Sequence, residues 1–366
     1  MVSTVTNPNQ GLDFITLGKA ALKNIRMLMS PSVWKATHRI NSFQRQRLQS
    51  ILDEITKHPT DYRIHFILAE YYFSIGRIIP AIAECRTSIG LGNKSPEVYL
   101  LLAEAYVAVG CGSFAEDLFT RGLLPAEYLR NLQREYGTDT DGLLKLPPFI
   151  YQRLQAIGTR VKKAIPDPHV RILDVGGGEG QLCLFMPNAR YILAEPTING
   201  IADQLSAFPE KFFDAVVACH VLEHIEEIEK ENFLEALCSL AKNCVILLEP
   251  VNSDGYAARA DALIYRITRA LWAKEHLDCK LPTLEMLRDF ASRHGLECNV
   301  MPNGDRAAVF WMVFASHYAN VAGKTNELQE IVPFSNRYLT ESLSNPNQPN
   351  DYLVEFYVDK SSAAKL

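Results

Sequence analysis

The stretch that most restricts the fold is Val170-Arg-Ile-Leu-Asp-Val175, a short apolar run that reads as a buried strand and passes directly into Gly176-Gly-Gly-Glu-Gly180. Apolar residues that can open a helix follow. A second run, Arg190-Tyr-Ile-Leu-Ala-Glu195, ends in an acid 21 residues after Asp174. This order of strand, glycine turn, strand and acid is that of a nucleotide site in a doubly wound sheet. Glycines let the backbone approach a ligand at the strand end, and the second acid can accept hydrogen bonds from ribose hydroxyls. The spacing from Gly176 is Gly-x-Gly-x-Gly, with Gln181 where a dinucleotide fingerprint wants its last glycine. A carboxylate inside the strand end, as Asp174 is, suits a cationic amino-acid group better than a pyrophosphate.

The strand and turn from Leu173 to Gly180 resemble the first motif of class I S-adenosylmethionine-dependent methyltransferases, and the order of the following segments resembles that family over most of residues 170 to 320. Phe213 to His220 is similar to its fourth strand, with Val221-Leu-Glu-His-Ile225 as continuation, and Asn232 to Lys242 reads as a helix. Cys244 to Pro250 is similar to its fifth strand, and Leu284 to His294 reads as a further helix. Leu296 to Val300 with Ala307 to Phe314 is expected to form the family's terminal antiparallel pair. The resemblance implies S-adenosylmethionine as cofactor, with Asp174, Gly176 and Gly178 along its methionine part and Glu195 on its ribose. Asp203 stands where the family often contacts the adenine edge; a solvated loop carboxylate is the equal alternative. About seven residues separate Glu195 from Asp203, too few for the usual helix, which leaves the strand order there open.

The first half carries a different signal. A shift of 34 residues superposes Phe66 to Gly76 on Leu100 to Gly110, with Leu68/Leu102, Ala69/Ala103, Glu70/Glu104, Tyr72/Tyr106, Gly76/Gly110 and Ala81/Ala115 identical. The period and its residue roles resemble the tetratricopeptide repeat: small alanines admit close helix approach, and the glycines can end the first helix. Two units are clear, over 61–124, so neighbouring helices must cap them; Asn41 to Lys57 and Pro125 to Tyr136 are the candidates. Such a repeat either offers a protein partner or a second copy a concave surface, or only docks its neighbour. The sequence does not separate these outcomes.

Composition agrees with a globular protein of about two domains at roughly 150 residues each. The chain has 366 residues, 48% hydrophobic and 22% charged. Lys plus Arg number 37 against 42 Asp plus Glu, a net charge of -5, with no basic surplus to hold nucleic acid. Eight scattered cysteines show neither metal-ligand nor disulfide spacing, and no run is long enough to span a membrane, so a cytoplasmic protein is expected. The expected fold class is α/β, a Rossmann-like methyltransferase domain preceded by an all-α domain. The boundaries read as 1–140 helical, 141–168 a linker helix, 169–320 the methyltransferase domain and 321–366 a C-terminal extension. A break near Gly137 to Gly142 is expected to let the two parts be separated.

On the acceptor side the candidates are His220, Glu223, His224 and His276, the last in the long connection from Asn252 to Pro282 that carries Tyr256, Tyr265 and Trp272. There Leu263, Ile267 and Leu271 have the spacing of a packed helix. His220-Val-Leu-Glu-His224 also matches the His-x-x-Glu-His pattern of one metalloprotease class. It is similar as well to the Glu-x-x-Glu-His motif of metal-dependent methyltransferases. His220 in place of the first Glu removes a hard oxygen ligand, which Mg²⁺ prefers. His220, Glu223 and His224 would better suit a softer transition ion with a further ligand from elsewhere, such as His276, but no metal is expected and chelation should leave activity intact. His220 and His224 are expected as hydrogen-bonding groups or a general base. Expected acceptors are small or sugar-like molecules, methylated on oxygen or nitrogen; protein and RNA acceptors stay open. The readings to be separated from this are a non-catalytic interaction scaffold and a nicotinamide-dependent oxidoreductase. Finally, Ser344 to Asn350 reads as a loop, Asp351 to Lys360 alternates like a strand, and the residues from Ser361 are expected to fray.

Overall fold

The structure is a computed structural model and describes residues 42–138, 141–252, 254–338 and 348–358. The expectations for residues 1–41, for 344–347 and for the tail from Ser361 lie outside these.

Among the described residues, seven α-helices precede the first strand: α1 (Ser42–Lys57), α2 (Tyr62–Ser74), α3 (Ile78–Gly90), α4 (Pro96–Ala108), α5 (Gly112–Thr120), α6 (Ala126–Tyr136) and α7 (Pro148–Ala164). Both α4 and α5 start 34 residues after α2 and α3, so the sequence period is a period of helix pairs. The repeated identities do the packing expected of them. Leu68, Leu102, Ala69, Ala103, Tyr72, Tyr106, Ala81 and Ala115 are all buried, and Gly76 and Gly110 take φ of 77° and 73° at the two helix ends. On α1, Ile51 and Ile55 are buried with Leu48 and Leu52 packed beside them, which closes one end of the array.

The strands are β1 (Arg171–Val175), β2 (Arg190–Ala194), β3 (Phe213–Cys219), β4 (Ala241–Pro250), β5 (Glu297–Asp305) and β6 (Pro349–Tyr357), with the short helix α8 (Leu182–Phe185) between β1 and β2. Among the described residues they form one sheet in the order β2-β1-β3-β4-β6-β5. The first four run parallel, and β6 is antiparallel to both β4 and β5. Parallel strands covered on both faces must be apolar throughout, and the cores of β1 to β4 are. The rest is α9 (Lys230–Leu240), α10 (Tyr256–Thr268), α11 (Leu271–Cys279), α12 (Leu284–Arg293), α13 (Arg306–Ala322) and α14 (Thr325–Tyr338).

Three expectations need correction. Ala307 to Phe314 is not a strand but the start of α13, whose N-cap Asp305 accepts from the Ala308 N–H; the partner of β5 is β6. The 321–366 stretch is therefore no mere appendage, since it supplies a strand in the interior of the sheet, and Pro349 and Asn350 belong to that strand rather than to a loop. The spacing of Leu263, Ile267 and Leu271 does not mark a buried face: Ile267 and Leu271 are exposed, and Ile264 is the residue that packs inward.

The two halves also share one core. Among the described residues no strand lies outside β2, and α3 covers that edge instead. The outward N–H of Leu193 donates to Thr87 Oγ1 (3.0 Å), and its carbonyl accepts from Asn199 Nδ2 (2.8 Å), which also donates to Glu84 Oε1 (2.7 Å). An edge strand whose backbone groups are satisfied in this way offers no template for another strand. Arg86 donates to the carbonyls of Pro187 and Ala189, and Tyr72 Oη donates to the Ile198 carbonyl. Gly90 permits the approach: a Cβ there would lie 2.6 Å from the Tyr191 carbonyl oxygen. The segment expected to separate the halves is pinned as well, because the Gly142 N–H donates to the Gly110 carbonyl at 2.7 Å.

Candidate functional site

The parallel strands β1 to β4 all end at one edge of the sheet, and every candidate site residue except Asp203 and His276 lies within a few positions of one of those ends. In doubly wound sheets ligands bind outside the carboxyl ends of the strands.

On the β1 and β2 side, the glycine turn closes over Asp174. This carboxyl is 1% exposed and accepts from Tyr191 Oη at 2.6 Å. Burial pushes it up to about 7, with the Tyr191 hydrogen bond pulling down and Glu195 adding to the rise. Gly177 must lack a side chain, since a Cβ would sit 2.3 Å from Asp174 Oδ2. Gly176 turns with φ of 69° against Val221, and Gly178 has φ of 58° with nothing within 4 Å of a Cβ position. The turn is thus closed beneath and open at Gly178, which is the cradle a nucleoside-bearing ligand needs. Gly180 meets the helical layer: a Cβ would lie 2.4 Å from Ala83 Cβ, and Arg77 on that layer pairs with Glu179 at 3.0 Å.

Glu195 is fully buried and already engaged. Its Oε2 accepts from the Gly178 N–H (3.0 Å), and its Oε1 from the Thr197 N–H (3.0 Å) and Oγ1 (2.8 Å). Of the roughly four lone pairs of a carboxylate, one is left for a ribose hydroxyl. Burial raises its pKa despite these donors. Asp203 is half-buried on the 3-10 turn Ile201–Ala207 that takes the place of a full helix after β2.

On the β3 and β4 side, His220, Glu223, His224 and His276 converge on a single cavity of about 290 Å³. His220 follows β3 in a left-handed conformation, φ 56°, unusual for a residue with a side chain. Its Nδ1 lies 2.8 Å from Glu223 Oε1 and its Nε2 3.4 Å from Asp351 Oδ1. Burial and the Arg153 charge push His220 down, but Glu223 and Asp351 outweigh them and hold it above the usual histidine value. His276 is buried, 7% exposed. Its Nδ1 stands 3.0 Å from Asp261 Oδ2, and its Nε2 is 3.8 Å from Glu223 Oε1. The His224 and His276 rings meet edge to face at 4.8 Å between centroids, and Trp272 leans on His276 from the other side. Phe149, Ile264, Phe310 and Val313 make the apolar wall.

Four residues of this site gave no signal in the sequence. Asp351 at the start of β6 accepts from Arg153 Nε (3.3 Å), and burial is outweighed by Arg153 and His220, so its pKa is lowered. Asp261 holds His276 from α10. Glu249, at the end of β4, is fully buried and accepts from the N–H groups of Val221 and Leu222, which fixes the turn that carries Glu223. Burial and the neighbouring Glu223 carboxylate keep Glu249 protonated far above the usual carboxylate range. Burial alone would push Glu223 up too, but His220, His276 and a proton from Glu249 hold it well below its ordinary value.

Residues 128–299 match a family model described as a methyltransferase domain. The match begins in α6 and covers β1 to β4, the glycine turn and the His220 cluster. The protein carries a methyltransferase domain and is an enzyme of that class. Its methyl donor is S-adenosylmethionine. No curated protein matches the chain. Among solved structures, it is similar to a methyltransferase of Archaeoglobus fulgidus that depends on the same donor, at 16% identity over 56% of this chain and 94% of that one, with a TM-score of 0.34. It is also similar to a methyltransferase of Thermotoga maritima, at 12% identity over 64% and 97%, with a TM-score of 0.37. Scores this low carry no weight for substrate or mechanism. Among the described residues no helix is long and apolar enough to cross a membrane.

Proposed function

We propose that the enzyme methylates an oxygen or nitrogen atom of a small molecule bound in the cavity between His220 and His276. The observation that carries this is the convergence of His220, Glu223, His224 and His276 on one small cavity beside the end of β3, where Val221, the residue after His220, lies against Gly176 of the glycine turn. Its volume suits a small molecule or the end of a larger one. When bound, the donor supplies a methyl group on a sulfonium, an electrophile that needs an aligned nucleophile more than it needs activation. We assign Asp174, Gly176, Gly178 and Glu195 to holding it, with Glu195 also fastening the turn to the loop after β2. Asp203, half-buried on the 3-10 turn Ile201–Ala207, stays the candidate for the adenine edge.

On the acceptor side, Trp272, Phe149 and Phe310 position an apolar portion and exclude water. His220, set between two carboxylates, is placed to receive the proton that an acceptor O–H or N–H gives up. Screening fractions of small molecules for labelled methyl incorporation identifies the acceptor. His220→Ala should then lower transfer by about 10² to 10⁴-fold, the range for a lost general base, while affinity for S-adenosylhomocysteine stays within about twofold. Unchanged transfer in that variant would remove His220 from the reaction.

For the first half, we read the α2–α3 and α4–α5 pairs as tetratricopeptide-like units that dock the sheet. Their period, alanine contacts and glycine ends support the repeat reading; the use of α3 to cover β2 supports docking.

A further inference from the structure

Glu223 presents an unresolved chemical demand. It is fully buried, and neither carboxylate oxygen receives a well-aligned hydrogen bond from the imidazoles beside it, His220 Nδ1 at 2.8 Å and His276 Nε2 at 3.8 Å from Oε1. His224 Nδ1 is likewise buried without an aligned hydrogen bond, the Glu275 carboxylate standing 3.4 Å away. A buried carboxylate with imidazole nitrogens around it is a set of donors that can close on a cation. The third member is placed by tertiary structure: Asp261 holds His276 through Nδ1, which turns Nε2 toward Glu223. A carboxylate that orients one nitrogen of a histidine and frees the other is the usual outer support of a metal-binding imidazole.

We propose that Glu223, His224 and His276 form a binding site for a divalent transition-metal ion of the zinc class. One ligand atom from each lies within 4.8 Å of the other two. Around an ion at 2.0–2.1 Å, tetrahedral ligands stand about 3.3 Å apart, so small side-chain rotations complete the set. Two imidazoles and a carboxylate suit zinc or iron(II) better than magnesium, which prefers oxygen ligands. Three protein ligands leave a position open to the cavity, where an ion would polarise an acceptor hydroxyl. This reverses the expectation of a metal-free site, and the reason is His276, 52 residues beyond His224 in the chain, which the α11 packing delivers to the missing position. The role at the acceptor rests on the cavity being the acceptor site; ion binding itself does not.

The test uses the full chain, stripped with a chelator and titrated with Zn²⁺ by calorimetry and with Co²⁺ by its visible absorption. One ion per chain is expected. Glu223→Gln and His276→Ala should each weaken binding about 100-fold or more, and Asp261→Asn about tenfold, the scale of a lost outer support. S-adenosylhomocysteine affinity, measured on the same samples, should be unchanged and shows that each variant is folded. A second group, Glu231, Glu235 and His294, lies near the surface, so His294→Ala serves as the control and should bind the ion as the parent does. No binding at micromolar ion, equal binding in Glu223→Gln and His276→Ala, or loss confined to His294→Ala would overturn the proposal. Because binding is read without turnover, those results would leave the acceptor assignment to the His220→Ala experiment.

Discussion

A fragment beginning at Leu143 is expected to be insoluble or to lack a cooperative unfolding transition. Removing α1 to α6 strips the cover from β2, exposing the outward N–H of Leu193 and the apolar surface of Tyr191, Ile192, Leu193 and Ile198, all buried in the intact chain. At roughly 1.5–3 kcal/mol for each large buried side chain, losing the cover of four such groups costs about 6 to 12 kcal/mol. That equals the whole stability of a typical domain, about 5–15 kcal/mol. An uncovered β2 would also be a free edge that invites pairing between chains. The measurement is thermal unfolding of the purified fragment beside the full chain. A soluble fragment that unfolds cooperatively and binds the donor would show that the helical layer is an attachment after all.

The second large effect concerns Asp174. Asp174→Ala is expected to abolish measurable donor binding, since it removes the carboxylate beneath the glycine turn and leaves Tyr191 Oη without its acceptor in the core. The same group sets a pH dependence. Its pKa near 7 lies far above the unfolded carboxylate value, so from about pH 4 to 7 the folded state holds a proton that the unfolded chain has released. The stability this proton brings is fully present at low pH and is lost as pH rises through about 7. Donor binding runs the other way. A ligand carrying ammonium and sulfonium charges favours the ionised carboxylate, so affinity should fall as pH drops below about 7, approaching tenfold per pH unit. Below that pH, binding should release protons, seen as a dependence of calorimetric enthalpy on buffer. Asp174→Asn, which can still accept from Tyr191, should bind more weakly and lose the pH dependence. A parent protein with flat affinity between pH 5.5 and 8 would contradict this role.

What could be read in the sequence follows a physical line. The strands β1 to β4 were legible because buried parallel strands are short unbroken apolar runs between turn residues. The 34-residue period was legible because both helix pairs repeat their packing alanines and terminal glycines. Ala307 to Phe314 misled because its β-branched and aromatic residues fit a strand; its length, its Asp305 cap and Gly323 at the far end are the helix signals that decide otherwise. The alternation from Asp351 onward did mark a strand, but not its neighbours, since pairing with β4 and β5 spans about 50 to 110 residues of chain and leaves no local trace.

At the site, His220, Glu223 and His224 were visible as one short segment after a strand. Asp351, Asp261, Arg153 and Glu249 were not, because what makes each of them part of the site is a contact formed only in the fold: Asp351 with His220, Asp261 with His276, Arg153 with Asp351, and Glu249 with the turn beneath Glu223. The cover that α3 gives β2 was hidden for the same reason. Thr87, Glu84 and Gly90 are ordinary helix residues until Leu193, Asn199 and Tyr191 are brought against them.

The most direct measurement is a calorimetric titration of the full chain with S-adenosylhomocysteine and, separately, with NAD. The glycine turn closed over Asp174, with its open position at Gly178, predicts one site for the first ligand and no heat of binding for the second. Binding of NAD without binding of S-adenosylhomocysteine would contradict the assignment of this turn to the methyl donor.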